Sequence, residues 1–339
     1  MQRRIKFLIP LLLVLIVGII GLNKDRIFQK AQQATVSSPS TQRFISKIVL
    51  VYSLRVNQFP AVVALEKGIF DKYNLYVEPV VANSNASSVI ASGKADVTLG
   101  SPNTTLASAV QGSQLSWVGN INNDQGTLLV SIKDPKYIKK VGVVAGPSQA
   151  QTVGMLSLID ANTQNLAYQN LSDANSKLLA LQQKQVDAIH IAKPDWIIYK
   201  RKNNLSDEFK VLLDSSDNSS VQMPVSIIVR NEFLKSNPKV VEDFTRSLIE
   251  ANDWIRNNKE EFIKMLQKRY SDIPAEDIQI EGELYFDNIQ NVQFEPTMEK
   301  GKEMLKLVEA SNPQAKEYDL NNFINTSIAT SLRNSGVLK

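Results

Sequence analysis

Short apolar runs alternate with amphipathic stretches from residue 47 onward. Residues 47–53 (KIVLVYS) form an apolar run with β-branched side chains, which is typical of a buried strand, and residues 60–67 (PAVVALEK) follow with helical spacing. The alternation continues with predicted strands at 75–81 and 95–99 and predicted helices at 87–92 and 104–110. Strands that alternate with helices predict parallel βαβ units with right-handed crossovers and helices on both faces of a sheet.

The pattern restarts after the dipeptide Asp134-Pro135, which predicts a second lobe similar to the first. Strands are predicted at 140–144, 166–169, 187–191, 210–213 and 225–229, and helices at 151–160, 173–183 and 194–202. From Pro238 onward the chain is mainly helical, at 238–257, 259–270, 296–309 and 320–335. We expect these last helices to cover the first lobe, with a separate helical domain as the alternative.

An apolar run occupies residues 7–22, directly after Arg3, Arg4 and Lys6. A basic start before an apolar core is the pattern of a segment that directs export. Such a run spans about 24 Å as a helix, against about 30 Å for a hydrocarbon core, so its length does not separate a cleaved signal peptide from an anchor. No small-x-small triplet follows closely, so we favour a membrane anchor over residues 1–28, with the bulk of the chain outside, and keep a cleaved signal as the alternative.

The basic charge of the chain is concentrated at its N-terminus. The formal net charge is +4, but residues 1–46 carry seven Lys or Arg and one Asp, a net of +6 (7 minus 1), which leaves −2 (4 minus 6) for the rest. The folded part therefore lacks the basic balance of a nucleic-acid-binding protein, and we expect no nucleic-acid partner. Residues 29–45 are rich in Gln, Ser, Thr and Ala, which predicts a flexible tether.

Cysteine is absent and histidine occurs once, at His190. This composition excludes disulfides, thiolate catalysis, thiolate metal sites, lipid attachment through cysteine and multi-histidine metal sites. His190 ends an apolar strand, where we expect a buried histidine rather than a base. We predict a protein that is not an enzyme and that uses neither a metal nor a cofactor.

Several sequence elements, in their order and spacing, resemble one family of transport proteins. They are residues 64–75 (ALEKGIFDKYNL) with 77–80 (VEPV), 92–97 (SGKADV), 141–143 (VGV), 181–188 (LQQKQVDA), and the stretches 233–238 and 250–255 before and within the long C-terminal helix. Together they are similar to the solute-binding proteins of ABC transporters for nitrate, alkanesulfonates, taurine and thiamine-pyrimidine precursors. The resemblance implies the type II periplasmic-binding-protein fold, in which two doubly wound α/β lobes surround a hinge and a cleft.

The resemblance also implies how the chain is divided between the lobes. The first lobe is expected to hold residues 46–135 and 225–339, and the second lobe residues 136–224. The chain would cross between them near 134–139 and again near 221–224. The sequence departs from the family at residues 192–196 (AKPDW), where Lys193 stands in place of an acidic residue that members often carry.

Candidate ligand-binding residues lie in the polar loops that follow the predicted strands, because ligands of open α/β sheets bind beyond the carboxyl ends of the strands. Hydroxyl and amide groups fix a ligand's orientation, a glycine before a helix allows close approach of backbone N–H groups, and a lysine supplies a cation. The predicted ligand-binding residues are Ser53, Arg55, Asn57, Ser101, Asn103, Thr104, Gly146, Ser148, Gln149, Lys193 and Trp196. The alternatives are ordinary turns, solvated side chains for Arg55 and Lys193, and core packing for Trp196.

The resemblance implies a function: capture of a small polar or anionic solute by hinge closure and delivery to an ABC permease driven by its ATPase. The expected location is the outer face of the cytoplasmic membrane, or the periplasm or extracellular space if the N-terminus is cleaved, and the expected state is a monomer. A tethered sensory or scaffolding ectodomain is the main alternative. A pyrimidine-precursor synthesis enzyme is another, although that chemistry is associated with a cysteine-rich motif that this chain lacks. The ligand's charge stays open at this point.

Overall fold

The computed structural model describes residues 46–52, 58–82, 86–123, 126–144, 147–163, 165–171, 173–203, 205, 207–218, 221–309 and 312–338. The predicted membrane anchor over 1–28 and the predicted tether over 29–45 lie outside the described residues. Among the described residues, no helix combines the length and the apolar character that crossing a membrane requires.

The first sheet has five strands in the order β2-β1-β3-β10-β4. Its strands are β1 (Ser46–Tyr52), β2 (Leu75–Val81), β3 (Val97–Gly100), β4 (Leu115–Asn122) and β10 (Val225–Arg230). Strand β1 pairs in parallel with β2 and β3, whereas β10 runs antiparallel to both β3 and β4. The carboxyl ends of β1, β3 and β4 therefore lie at one edge of the sheet, where β10 begins.

The second sheet repeats this arrangement, with five strands in the order β7-β6-β8-β5-β9. Its strands are β5 (Thr127–Ser131), β6 (Lys140–Val143), β7 (Ala167–Asn170), β8 (Ala188–Ala192) and β9 (Lys210–Asp214). Strand β6 pairs in parallel with β7 and β8, and β5 runs antiparallel to β8 and β9. Each sheet thus carries one antiparallel strand, so both sheets are mixed rather than purely parallel as the alternating pattern predicted.

The chain passes between the sheets twice, and the first passage differs from the prediction. Strand β4 belongs to the first sheet and β5 to the second, so the first passage lies between residues 122 and 127. The predicted passage near 134–139 is wrong because the apolar residues of β5 already pair with β8 and β9. The second passage runs between β9 and β10, through residues 215–224, and includes the predicted 221–224.

Thirteen helices flank the sheets in the described part of the chain. They are α1 (Phe59–Glu66), α2 (Ile69–Lys72), α3 (Ala86–Ala91), α4 (Pro102–Val110), α5 (Pro147–Ser157), α6 (Ala174–Gln182), α7 (Lys193–Asn203), α8 (Asn231–Ser236), α9 (Pro238–Asn257), α10 (Lys259–Arg269), α11 (Ala275–Asn288), α12 (Met298–Glu309) and α13 (Ser327–Asn334).

The C-terminal helices pack on the first sheet and complete its core. Phe244, Phe262 and Tyr285 are fully buried in the same apolar cluster as Ile48 of β1. The ring of Phe59 lies 5.5 Å from that of Phe262 and 5.3 Å from that of Tyr285, both edge to face. Edge-to-face packing adds to the free energy gained from burying the rings. The helical C-terminal region is therefore a layer of the first sheet's core.

Asp96 joins strand β3 to strand β1 in the first sheet. It precedes β3, its Oδ2 accepts a hydrogen bond from Val49 N at 2.9 Å, and its own N–H donates to Val49 O at 2.8 Å. The guanidinium of Arg230, at the end of β10, lies 2.9 Å from Asp96 Oδ1. The aspartate of the SGKAD element is therefore a structural residue.

Asp187 has the same role in the second sheet, just before β8. Its Oδ2 accepts from the N–H groups of Lys139 and Lys140 at 2.8 and 2.9 Å, and its N–H donates to Lys140 O at 2.8 Å. Lys133 Nζ lies 2.6 Å from Asp187 Oδ1. Two sequence elements that mark the family resemblance therefore contain equivalent aspartates, Asp96 and Asp187, which supports the interpretation of the chain as a repeated architecture.

The second sheet should be sensitive to acid at Asp187. Burial opposes ionisation of Asp187, but hydrogen bonds from Lys133 and from the backbone of Lys139 and Lys140 outweigh it and lower the pKa of the carboxyl. The ionised form thus stabilises the fold above the ordinary pKa of about 4, and this contribution is lost as pH falls through the lowered pKa. We expect the difference in free energy of unfolding between wild type and Asp187→Asn, from urea titrations, to be constant from pH 7 to about 5 and to shrink below about pH 4. A difference that stays constant down to pH 3 would contradict this role for the carboxylate.

Candidate functional site

A cavity of about 240 Å³ lies at the strand ends, and residues of both sheets line it. The lining residues are Ser101, Asn103, Thr104, Thr127, Gln151, Lys177, His190, Ile191 and Ala192. Three of them follow β3 of the first sheet, and the other six belong to the second sheet and its helices. This is the edge of an α/β sheet where ligands bind, because loops and helix starts converge there.

On the first-sheet side, the start of α4 presents a preorganised amide. Ser101 Oγ donates to Asn103 Oδ1 at 2.5 Å, and Thr104 Oγ1 donates to the same oxygen at 3.3 Å. Asn103 is buried, with 3% of its surface exposed. Because two hydroxyl groups occupy its carbonyl oxygen, Asn103 offers its Nδ2 as a donor to the cavity.

On the second-sheet side, Gln151 of α5 connects the cavity to both passages between the sheets. Its Nε2 donates to Val221 O at 2.9 Å and lies 3.4 Å from Thr127 Oγ1. Val221 lies in the second passage, and Thr127 begins β5 directly after the first. The amide nitrogen is thus engaged, and Oε1 is the atom of Gln151 that a ligand donor would meet.

Lys177 brings a buried cation to the cavity. It lies on α6, which begins with a capping box formed by Asp173 and Ser176, and 7% of the residue is exposed. Its Nζ donates to the backbone carbonyl of His190 at 2.8 Å. Lysine is rarely buried to this degree, because removing an ammonium group from water is costly. None of the described lining residues is a carboxylate, so the cavity carries positive rather than negative side chains.

Lys193 follows β8 as predicted, but its ammonium group forms an ion pair with Asp214. Its Nζ lies 2.6 Å from Asp214 Oδ2 and 3.3 Å from Ser216 Oγ, and it does not line the cavity. Burial opposes ionisation of Asp214, but hydrogen bonds from Lys193 and Ser216 outweigh it and lower the pKa of the carboxyl.

Of the eleven predicted ligand-binding residues, Ser101, Asn103 and Thr104 come together in the cavity. Trp196 is 5% exposed and packs in the apolar core of the second sheet. Gln149 lies in the first turn of α5, outside the cavity lining. The other four predicted loop residues, Ser53, Arg55, Asn57 and Gly146, and the side chain of Ser148 lie outside what the structure describes.

Sequence reasoning missed Thr127, Gln151 and Lys177. One signal for Lys177 was present: it lies four residues before Leu181 on the buried side of α6, next to Leu178, so a charge stands on an apolar helix face. The hydrogen bond between Gln151 and Thr127 depends on strand β5, which the sequence pattern did not predict. No group of His, Asp or Glu suited to hold a metal ion occurs among the described residues.

Comparison with known families gives one match. The model of the family described as NMT1/THI5 like matches residues 55–262, which is more than half of the chain. A search of curated protein sequences finds no match.

Solved structures of similar fold include two binding proteins and one enzyme. The periplasmic aliphatic sulphonate binding protein SsuA from Escherichia coli is 16% identical, with 83% of this chain and 92% of that one covered at a TM-score of 0.67. The periplasmic nitrate-binding protein NrtA from Synechocystis PCC 6803 is 12% identical, with 88% and 90% covered at 0.63. The desulfurization enzyme DSZB is 10% identical, with 85% and 99% covered at 0.61. At these identities the likeness shows the fold, which is that of the periplasmic binding proteins.

Proposed function

Because the chain belongs to the NMT1/THI5-like family, we propose that it is the solute-binding protein of an ABC importer and captures a small polar or anionic solute. One observation carries this proposal: a single cavity at the strand ends is lined by residues of both sheets, Asn103 on one side and Lys177 on the other. A solute held there contacts both halves of the molecule.

The two passages between the sheets supply the hinge for the proposed mechanism. A solute that touches only one sheet when the cavity is open gains the contacts of the second sheet when the sheets approach. Since only the closed form makes all of these contacts, binding shifts the population toward closure. The closed form is then the signal that the permease recognises.

The lining supports an acceptor-rich solute such as a sulfonate or nitrate. Asn103 Nδ2 and Lys177 Nζ are donors, and charge-assisted hydrogen bonds to an oxyanion are about twice as strong as neutral ones. Gln151 Oε1 adds one acceptor, which suits a solute that also carries an N–H group, as taurine and pyrimidines do. A cavity of about 240 Å³ is small for a ligand site, which favours solutes of few atoms.

The proposed partners are an ABC permease and its ATPase, and the proposed location is the outer face of the cytoplasmic membrane. An anchor over residues 1–28 with a tether over 29–45 would hold a monomeric binding protein near its permease and raise its effective concentration there. We propose no catalytic activity, because the described lining offers hydroxyl, amide, imidazole and cationic groups without a carboxylate or a thiol.

A thermal-shift screen of the full-length protein tests the proposal. The panel is nitrate, taurine, alkanesulfonates, aromatic carboxylates and pyrimidines. A solute that binds only the folded state increases the free energy of unfolding by mass action, by about 2.7 kcal/mol at a concentration 100 times its Kd. This increase raises the melting temperature. We expect a dose-dependent shift with one chemical class, strongest for small oxyanions. A cooperative melting transition that none of the panel moves would count against a solute receptor and in favour of a sensory or scaffolding ectodomain.

A further inference from the structure

The ion pair between Lys193 and Asp214 lies where the chain enters and leaves the second sheet. Lys193 directly follows β8, and Asp214 is the last residue of β9. Strand β5 lies between these two strands, with Thr127 opposite Ala192 and Leu128 opposite Asp214. The pair therefore joins the ends of β8 and β9 across the start of β5.

The first passage between the sheets ends at this pair, and the second passage begins there. The first passage delivers the chain to Gly126 and Thr127 at the start of β5, and the second leaves β9 through Ser215 and Ser216. Asp214 Oδ1 accepts hydrogen bonds from Ser216 N at 2.9 Å and Ser216 Oγ at 2.6 Å. Lys193 N donates to Gly126 O at 3.0 Å. One lysine thus contacts the residue that ends the first passage and the residues that start the second.

Gly126 fits closely beneath the pair. Its φ of +87° lies in the left-handed region, which side chains rarely adopt. A Cβ at this position would stand 2.8 Å from Asp214 Oδ1 and 3.1 Å from Lys193 Cδ. The glycine allows the backbone at the end of the first passage to lie against the ion pair.

The same network reaches the cavity. Thr127 N donates to Ser215 Oγ at 2.8 Å, and Gln151 Nε2 links Val221 O to Thr127 Oγ1. Thr127 and Gln151 line the cavity, as does Ala192, the residue before Lys193. The groups that would meet a ligand on this side are therefore held by the segments that the ion pair joins.

We propose that Lys193 and Asp214 form a hinge clamp, a pair of positioning residues that fixes the start of β5 and couples the cavity to both passages. In this role Lys193 acts through Asp214 and Gly126, whereas the sequence suggested that it contacts the ligand directly. The effect on ligand affinity rests on the proposed function, but the effect on the backbone does not.

Amide hydrogen exchange of the ligand-free, full-length protein tests the clamp. We expect Lys193→Met and Asp214→Asn each to speed hydrogen exchange about tenfold at the backbone amides of residues 127 and 193. This corresponds to a decrease of about 1.4 kcal/mol in the free energy of local opening. The double variant should exchange no faster than the singles, because each removes the same interaction. Lys193→Arg, which keeps the charge, should restore most of the protection. Lys184→Met, which removes a surface pair with Glu208, is the control. Unchanged exchange at both amides in both singles would overturn the clamp.

Ligand affinity separates the clamp from direct contact. With ethanesulfonate as the probe, calorimetry should show a loss of about tenfold for both Lys193→Met and Asp214→Asn, since each loosens the same segments. If Lys193 instead contacts the anion, Asp214→Asn should leave the affinity unchanged or raise it, and that result would overturn the clamp. If wild type does not bind ethanesulfonate, taurine and nitrate are measured in the same way. If the protein binds none of these solutes, the proposed function is contradicted, and the exchange experiment still tests the clamp independently.

Discussion

Lys177→Met should lower the affinity for an anionic solute by about 100-fold, or about 2.7 kcal/mol. The Lys177 ammonium is buried at the cavity wall, where a charge-assisted hydrogen bond to an anion is worth more than it is in water. Methionine keeps an unbranched apolar stem of similar length but removes the charge and the donor. The change also leaves the His190 carbonyl without its lysine donor. Isothermal titration calorimetry with the strongest oxyanion of the panel measures the loss.

The control for this prediction is Lys94→Met. Lys94 is exposed at the surface, outside the cavity lining, so its replacement should change affinity less than twofold. Thermal melting of Lys177→Met shows whether the variant is folded, and Lys177→Arg tests whether a cation alone restores binding. Wild-type affinity in folded Lys177→Met would exclude the cavity wall at α6 from the binding site.

Asp187→Ala should destabilise the protein by about 3 kcal/mol, which would lower Tm by roughly 5 °C for a folded part of this size. Removing the carboxylate leaves the N–H groups of Lys139 and Lys140 and the Lys133 ammonium without their acceptor at the start of the second sheet. Calorimetry measures the change. Glu208→Ala, which removes an exposed pair with Lys184, should cost less than about 0.5 kcal/mol and is the control.

Asp96→Ala provides an internal comparison for this second prediction. Asp96 holds Val49 N and Arg230 in the first sheet much as Asp187 holds Lys140 N and Lys133 in the second. We expect a loss of similar size at Asp96. A variant of Asp187 as stable as the surface control would mean that these aspartates do not join the strands energetically.

The fold and the family could be predicted from the sequence because local patterns carry them. Apolar runs alternate with amphipathic segments, and the predicted α/β fold and the predicted family group are both confirmed. The two sheets have equivalent strand orders, as the restarting pattern indicated. Conversely, strands β4 and β5 were not predicted, and their pairing with partners far along the chain sets the position of the first passage.

The cavity lining was predicted in part, for physical reasons, and ligand contact by these residues stays a prediction. Ser101, Asn103 and Thr104 were found because they follow β3 directly, and strand ends locate loops at a cleft. The ion pair of Lys193 depends on Asp214, which lies on a different strand, and no local pattern joins the two residues. Lys177 was missed because helical spacing does not show which neighbouring element a helix face packs against.

The central claim is that a small solute binds between the two sheets in the cavity at the strand ends. A crystal structure of the full-length protein with the solute that gives the largest thermal shift tests this claim most directly. We predict solute density within about 3.2 Å of both Asn103 Nδ2 and Lys177 Nζ. Density for the solute elsewhere, or in contact with residues of one sheet alone, would contradict capture between the two halves of the molecule.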